Sequence, residues 1–352
     1  MNLTLAALIL APFAWSDTPM PTVPRDTFSD TWVATDALGR VLPGQGECGP
    51  PRDGKFVGMF YFTWLGPHGY DHSKGLLPDQ GVQPVTEEDV NSPYDLTRIL
   101  AGEQEWGPWH AFHHWGKPHF GYYLGDDEWV IRKHAQMLSE AGVDVIFCDV
   151  TNGLTYTGVY MTICRVFQEI RDAGGRTPQI GFLANAGAQA VVQKLYDEFY
   201  SKGLYEDLWF RWRGKPMVLS PPEELSDELK AFFTVRHSWA WSASGWFGDG
   251  KDKWAWLDHY PQKWGWHDNP EHREQVPVAA AQHATTNIGR SFHDGAQPPP
   301  EERQPEQGLC FAEQLERALE IDPEFMFITG WNEWVAMRFE SEGNQSIAGE
   351  PV

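Results

Sequence analysis

The residues best suited to chemistry sit late in the chain. Trp331-Asn332-Glu333-Trp334 follows the apolar run 325–330 (FMFITG). A carboxyl just past an apolar strand and between indoles has walls that disfavour its charged form, which suits a general acid. The competing reading is a glutamate held in an ion pair at the strand end. Asp149 is the second candidate. Val143, Val145, Phe147 and Asp149 alternate along 143–150 (VDVIFCDV) and share one face of a strand. Were that face turned into the core, the carboxylate would sit at its open end. It could equally cap the turn at Asn152-Gly153. Asp258 is the third, sharing parity with Trp254 and Trp256, with a surface-loop aspartate as the alternative. Two carboxyls, one protonated and one ionised, are what glycosidic cleavage needs. A separation of about 5–5.5 Å predicts retention of configuration and about 6.5–9.5 Å predicts inversion.

Other polar and aromatic side chains fall at the ends of apolar runs. We expect Tyr61, Trp64, Asn152, His237, His259, His283, Trp331, Asn332 and Trp334 to contact substrate. The chain has 18 Trp and 11 Tyr, many of them clustered in Gly-rich stretches, where core filling would favour Leu and Ile. Flat aromatic faces among Asp, Asn and His groups fit a polyhydroxylated ligand. His110, His113 and His114 tempt a metal reading, but no HExxH is present and loop packing accounts for them better. No metal and no cofactor is assigned. Neither a GxSxG elbow nor a CxxC motif occurs.

Something must hold these residues together. Apolar strand, polar junction and helix recur along the chain. Strands are expected at 56–64, 143–150, 179–184, 216–220, 232–237, 254–259, 276–282 and 325–330, with helices at 126–141, 158–173, 186–201 and 311–320. A run of eighty or so residues after the first strand is too long for an ordinary connection. Alternation argues for a parallel sheet with helices outside, and eight units for an α/β fold of the (β/α)8 TIM-barrel class with long βα loops. An open doubly wound sheet is the runner-up, but no GxGxxG or Walker loop follows any strand. The chain stops about twenty residues after the eighth strand without a clear final helix, the pattern expected of a reading frame truncated at its C-terminus.

Three segments carry a resemblance. WNEW at the last strand, Phe120-Gly121-Tyr122-Tyr123 ahead of the Asp-rich helix start (Asp126 to Trp129, then Val130 to His134), and VDVIFCDVTN together resemble the glycoside hydrolase family 71/99-like barrels. That group includes endo-α-mannosidases, α-1,3-glucanases and WbsX-type polysaccharide-biosynthesis proteins. The resemblance spans roughly residues 55 to 340 and is weak outside those segments. It implies a TIM barrel acting on carbohydrate. In these families a carboxylate at the position of Glu333 is followed three residues later by a glutamate. Here that residue is Ala336, so the second carboxylate does not carry over. A partner must come from elsewhere, with Asp149 or Asp258 favoured and Glu340 an outsider.

Composition bounds the rest. The 352 residues carry a net charge of −22, which disfavours nucleic acid and anionic membranes as partners. No apolar run reaches the about 20 residues of a membrane span. Residues 3–14 are apolar and Ala14-Trp15-Ser16 places small residues where a signal peptidase reads, although no basic residue precedes them. The expected organisation is a signal peptide at 1–16, an extension at 17–54 and a catalytic barrel at 55–352, secreted or periplasmic. Cys148 and Cys164 read as buried thiols, and an oxidising compartment would allow a Cys48–Cys310 bridge. The function expected is a secreted glycoside hydrolase of two-carboxylate mechanism. The rivals are a non-catalytic glycan-binding barrel and a WbsX-like biosynthetic protein.

Overall fold

The computed structural model describes residues 35–64, 101–103, 118–121, 123–239, 246–280, 290–333, 346–347 and 350–351. Its centre is a curled, mostly parallel sheet built from β1 (Phe56–Tyr61), β2 (Val145–Val150), β3 (Gln179–Ala184), β5 (Lys215–Leu219), β6 (Thr234–Arg236), β7 (Gln275–Ala279) and β8 (Phe325–Thr329). A two-residue strand, β4 (Arg211–Trp212), forms an antiparallel hairpin onto β5. The parallel order is β6-β5-β3-β2-β1-β8-β7, so the first strand lies between the second and the last. Helices α1 (Gln45–Cys48), α2 (Glu128–Glu140), α3 (Thr157–Asp172), α4 (Ala188–Leu195), α5 (Asp227–Phe232) and α6 (Leu309–Ile321) complete the described part.

Alternation along the strands splits the core in two. Phe60, Val145, Phe147, Leu183, Met217, Phe325 and Phe327 fill the concave side of the sheet. Met59, Ile146, Cys148, Phe182 and Val218 face the helices. A fully buried Phe stabilises the fold by about 1.5–3 kcal/mol, so the concave cluster is a major stabilising element. Two glycines make room for it. A Cβ at Gly58 would lie 2.7 Å from Phe325 Cε1, and one at Gly181 would lie 2.7 Å from Phe147 Cδ1. The interior is thus packed by rings seated over glycines.

The helices start where their caps allow. Asp127 caps α2 by accepting from the Val130 N–H at 3.1 Å, and Ser226 caps α5 through Leu229 N at 3.3 Å. Each such cap is worth about 1 kcal/mol. The helix expected over 186–201 widens at its end, α4 passing into a π turn at Tyr196–Tyr200.

One expected strand is absent. Residues 254–259 are not a strand; the chain next to β6 pairs only through single bridges, such as His237 with Lys253. On one side the backbone still pairs, His237 N donating to Asp252 O at 2.9 Å and Trp254 N to His237 O at 2.7 Å. On the other side, side chains replace the ladder. Gln275 Nε2 donates to Ala255 O at 2.6 Å and Thr329 Oγ1 to Trp256 O at 2.8 Å. Carbonyls committed to side chains leave no ladder for β7 to join.

All four cysteines are free thiols, so Cys48 and Cys310 are not bridged. No helix among the described residues is long and apolar enough to cross a membrane. The expected signal segment 1–16 lies outside the described residues, as do residues 17–34 of the expected extension.

Candidate active site

Inward parity continues to the C-terminal end of β2. Val145 and Phe147 belong to the concave cluster, and Asp149 follows them at only 2 % exposure. Its Oδ1 accepts the Thr151 N–H at 3.0 Å, an Asx turn that fixes the carboxylate at the strand end. Its backbone carbonyl is held as well. Thr63 Oγ1 donates to it, and Trp64 Nε1 donates at 3.1 Å. Both donors lie just past β1, so the neighbouring strand sets the depth of Asp149.

Glu333 arrives from the far side of β1. Gly330 leaves β8 with φ of +102°, a conformation open to glycine, and turns the chain across the sheet end. Asn332 then locks it. Asn332 is fully buried; its Nδ2 donates to Phe62 O at 2.9 Å and its Oδ1 accepts Phe62 N–H at 2.8 Å. This two-bond clamp joins the segment after the last strand to the end of the first, and it delivers Glu333 beside Asp149.

The two carboxyls interact. Burial pushes Asp149 up to about 7, partly opposed by hydrogen bonds from Thr151. Glu333 is pushed up to about 8, first by burial and then by the Asp149 charge. The asymmetry has a simple origin: Asp149 ionises while Glu333 is still neutral, and Glu333 then loses its proton against a charge already present. Glu333 keeps part of its surface open, so a ligand can reach it. Near neutral pH the pair holds about one proton between two groups, the condition for one acid and one base.

Trp64, bonded to Asp149, and Trp256, packed on the concave cluster, each stack on a second ring. Trp64 stacks on Tyr156 with ring centroids 6.0 Å apart and planes at 22°. Trp239 stacks on Trp256, 6.3 Å apart at 9°, and Trp256 stands edge-on to Phe60 at 4.3 Å. Asn152 is exposed and donates from Nδ2 to the Tyr156 hydroxyl.

Several residues expected in the site are placed elsewhere. Tyr61 follows the outward parity of β1, is buried among helix-facing side chains and meets His134 Nδ1 at 2.9 Å. Burial lowers His134 to about 4, so its ring is neutral where it meets the Tyr61 hydroxyl. Trp331 packs edge-to-face on the same His134 at 5.4 Å. Trp64 spends its indole N–H on Asp149, and Asn332 has no exposed surface. Asp258 is a turn residue, Oδ1 accepting His259 N and Oδ2 accepting Lys263 N, both at 2.9 Å. The missing sixth strand is the reason, since the chain turns back at Asp258 rather than running to a strand end. His259 lies exposed on that turn. Arg236 points inward, so its neighbour His237 points away, 3.0 Å from Lys253 Nζ and edge-on to Trp246 at 5.3 Å. His283 and Trp334 lie outside the described residues, as do His110, His113, His114, Ala336 and Glu340. Among the described residues, no group of three or more His, Cys, Asp or Glu gathers as a metal cluster would.

Sequence reasoning missed two features. Tyr156 was hidden by its place at a helix start, where tyrosine is not a preferred cap. The second feature is a buried carboxylate at the opposite end of the sheet. Glu274, just ahead of β7 and 1 % exposed, receives Arg236 through Nε at 2.8 Å and Nη2 at 2.9 Å. The indoles of Trp212 and Trp254 each donate to it at 2.8 Å. These partners overcome burial and hold Glu274 down at about 2. The only sequence signal was Arg236 itself, a charge at the end of an otherwise apolar run.

No protein-family model matches the chain, and no curated protein matches it. Among solved structures it is similar to the GH99 endo-alpha-mannosidase from Bacteroides thetaiotaomicron in complex with bis-tris-propane. The TM-score is 0.45 at 14 % identity, over 79 % of this chain and 84 % of that one. A second structure of the GH99 endo-alpha-mannosidase from that organism gives a TM-score of 0.43 at 15 % identity, over 79 % and 85 %.

Proposed function

We propose that this protein is a glycoside hydrolase that cleaves bonds in a neutral poly- or oligosaccharide with Asp149 and Glu333. The observation that carries this is the electrostatic coupling of two desolvated carboxyls at the C-terminal end of one parallel sheet. Glu333, the more basic of the two, is the general acid that protonates the departing oxygen. Asp149, which ionises first, is the base or nucleophile on the opposite face of the sugar. Trp64 and Thr63 hold Asp149 by its backbone carbonyl, which fixes the carboxylate at the strand end. The Trp64 indole, bonded to the Asp149 carbonyl and stacked on Tyr156, suits the apolar face of a sugar ring. In this reading the curled sheet is a (β/α)8 barrel with residues 252–256 in the place of the sixth strand, and the protein acts outside the cytoplasm.

The test is a polysaccharide panel assayed for new reducing ends with the wild type and with Glu333→Gln. Hydrolysis of at least one glycan by the wild type, abolished in the variant, is expected. Full activity in Glu333→Gln removes the assignment, and binding without turnover by the wild type leaves a glycan-binding barrel instead.

A further inference from the structure

We propose that Trp129, with Phe120 and Lys133, forms a second carbohydrate-binding platform at the rim of the sheet's C-terminal end, where it holds the part of a long neutral glycan that extends beyond Asp149 and Glu333. This rests on the glycosidase reading above. The stretch from Phe120 to Trp129 is one of the segments that carry the family resemblance, and it plays no part in the chemistry assigned to the two carboxyls. Strands β1 and β2 run parallel and side by side, so α2 between them starts at the C-terminal end of the strands and runs back. Trp129 is the second residue of α2 and therefore lies at the same end of the sheet as the carboxyl pair. It is 53 % exposed, while Val130 and Ile131 beside it are buried. A single exposed apolar side chain is ordinary. Three features set this one apart. Phe120 stands edge-on to it, with ring centroids 5.2 Å apart and planes at 87°. The Lys133 ammonium, one turn further along α2, lies 5.7 Å from the ring. The indole is thus held at the surface, and a ring already in place loses little freedom when a ligand stacks on it. Rings also connect it to the site. From Trp331, two residues before Glu333, the steps are 5.4 Å to His134, 6.2 Å to Phe120 and 5.2 Å to Trp129. Asp126, Asp127 and Glu128 precede the indole and are exposed. Their charge repels an anionic lipid surface. An indole face among hydrogen-bond acceptors and one ammonium suits a neutral sugar, which stacks through its apolar face and bonds through its hydroxyls.

Two ligands separate the platform from the cleft: the best polysaccharide of the panel, and the shortest oligosaccharide of the same linkage that is cleaved. Affinities are measured by calorimetry in the Glu333→Gln background, where the polymer should bind more tightly than the oligosaccharide. Trp129→Ala should weaken polymer binding about tenfold and leave oligosaccharide binding within twofold. In the otherwise wild-type enzyme, kcat/KM should fall for the polymer and hold for the oligosaccharide. Trp129→Leu keeps an apolar contact for Phe120 but has no flat face; it should show the same loss, and it replaces the alanine variant if that one unfolds. Polymer binding within twofold of the parent, equal losses on both ligands, or a parent that binds the two alike each overturn the proposal while leaving the glycosidase reading intact. A wild type that neither binds nor cleaves any glycan overturns both.

Discussion

Both ends of this sheet bury carboxylates, and they do so in opposite ways. At the N-terminal end, Glu274 has an Arg236 fork and two indole N–H groups, and its proton is bound weakly. At the C-terminal end, Asp149 has hydrogen bonds from Thr151 and, among the described residues, no guanidinium; Glu333 faces Asp149, and both hold their protons into the neutral range. Burial is similar for Asp149 and Glu274, at 2 % and 1 % exposure. Burial alone therefore does not set the chemistry; the partners do. A satisfied carboxylate is a structural anchor, and an under-satisfied pair is a reactive one.

The contrast can be broken at each end. The largest effect should follow Glu333→Gln, with turnover falling about 10²–10⁴-fold on any cleaved glycan while the protein stays folded. Next is Glu274→Ala, which strands the Arg236 charge among indoles. It should cost about 3–5 kcal/mol in urea unfolding and leave the pH dependence of the mouth pair unaltered. Asp149→Asn should act in the other direction at neutral pH. The raised Asp149 means that stability falls as pH climbs from about 4, where the unfolded chain ionises, to about 7, where the folded one does. Removing that group should stabilise the protein by a few kcal/mol at pH 8 and by nothing measurable near pH 3. Glu274 has the reverse sign: its stabilisation is present above about 4.5 and is lost as pH falls toward 2. An acid titration in which Glu274→Gln and the wild type lose stability alike below pH 4 would falsify the anchor role. The smallest effect should be Asn332→Ala, about 1–3 kcal/mol from the unsatisfied Phe62 backbone, with a loss of turnover as Glu333 shifts.

How far the sequence reached differs between these regions. Strands with unbroken apolar runs were legible: 179–184 is matched end to end, and 143–150 differs only at its start. The alternation of Val145, Phe147 and Asp149 set the inward face correctly because a strand has only two faces. Tyr61 and His237 were misplaced for the same reason, since proximity to a strand end does not say which face a side chain takes. Asp258 was misplaced because an aromatic-rich segment that reads as a strand is bound by Gln275 and Thr329 side chains and then turns back. Non-local contacts of that kind leave no mark in local periodicity. The Glu274 anchor is another such case, drawing partners from three separate segments.

The clamp at Asn332 carries a consequence for how the molecule comes into being. Asp149 leaves the ribosome long before Glu333 does, and until residue 332 finds the Phe62 backbone the acid has no fixed address. The nascent chain can therefore fold much of its sheet before the two carboxyls meet. The two carboxyls meet only when the segment after β8 is fastened to the chain just past β1.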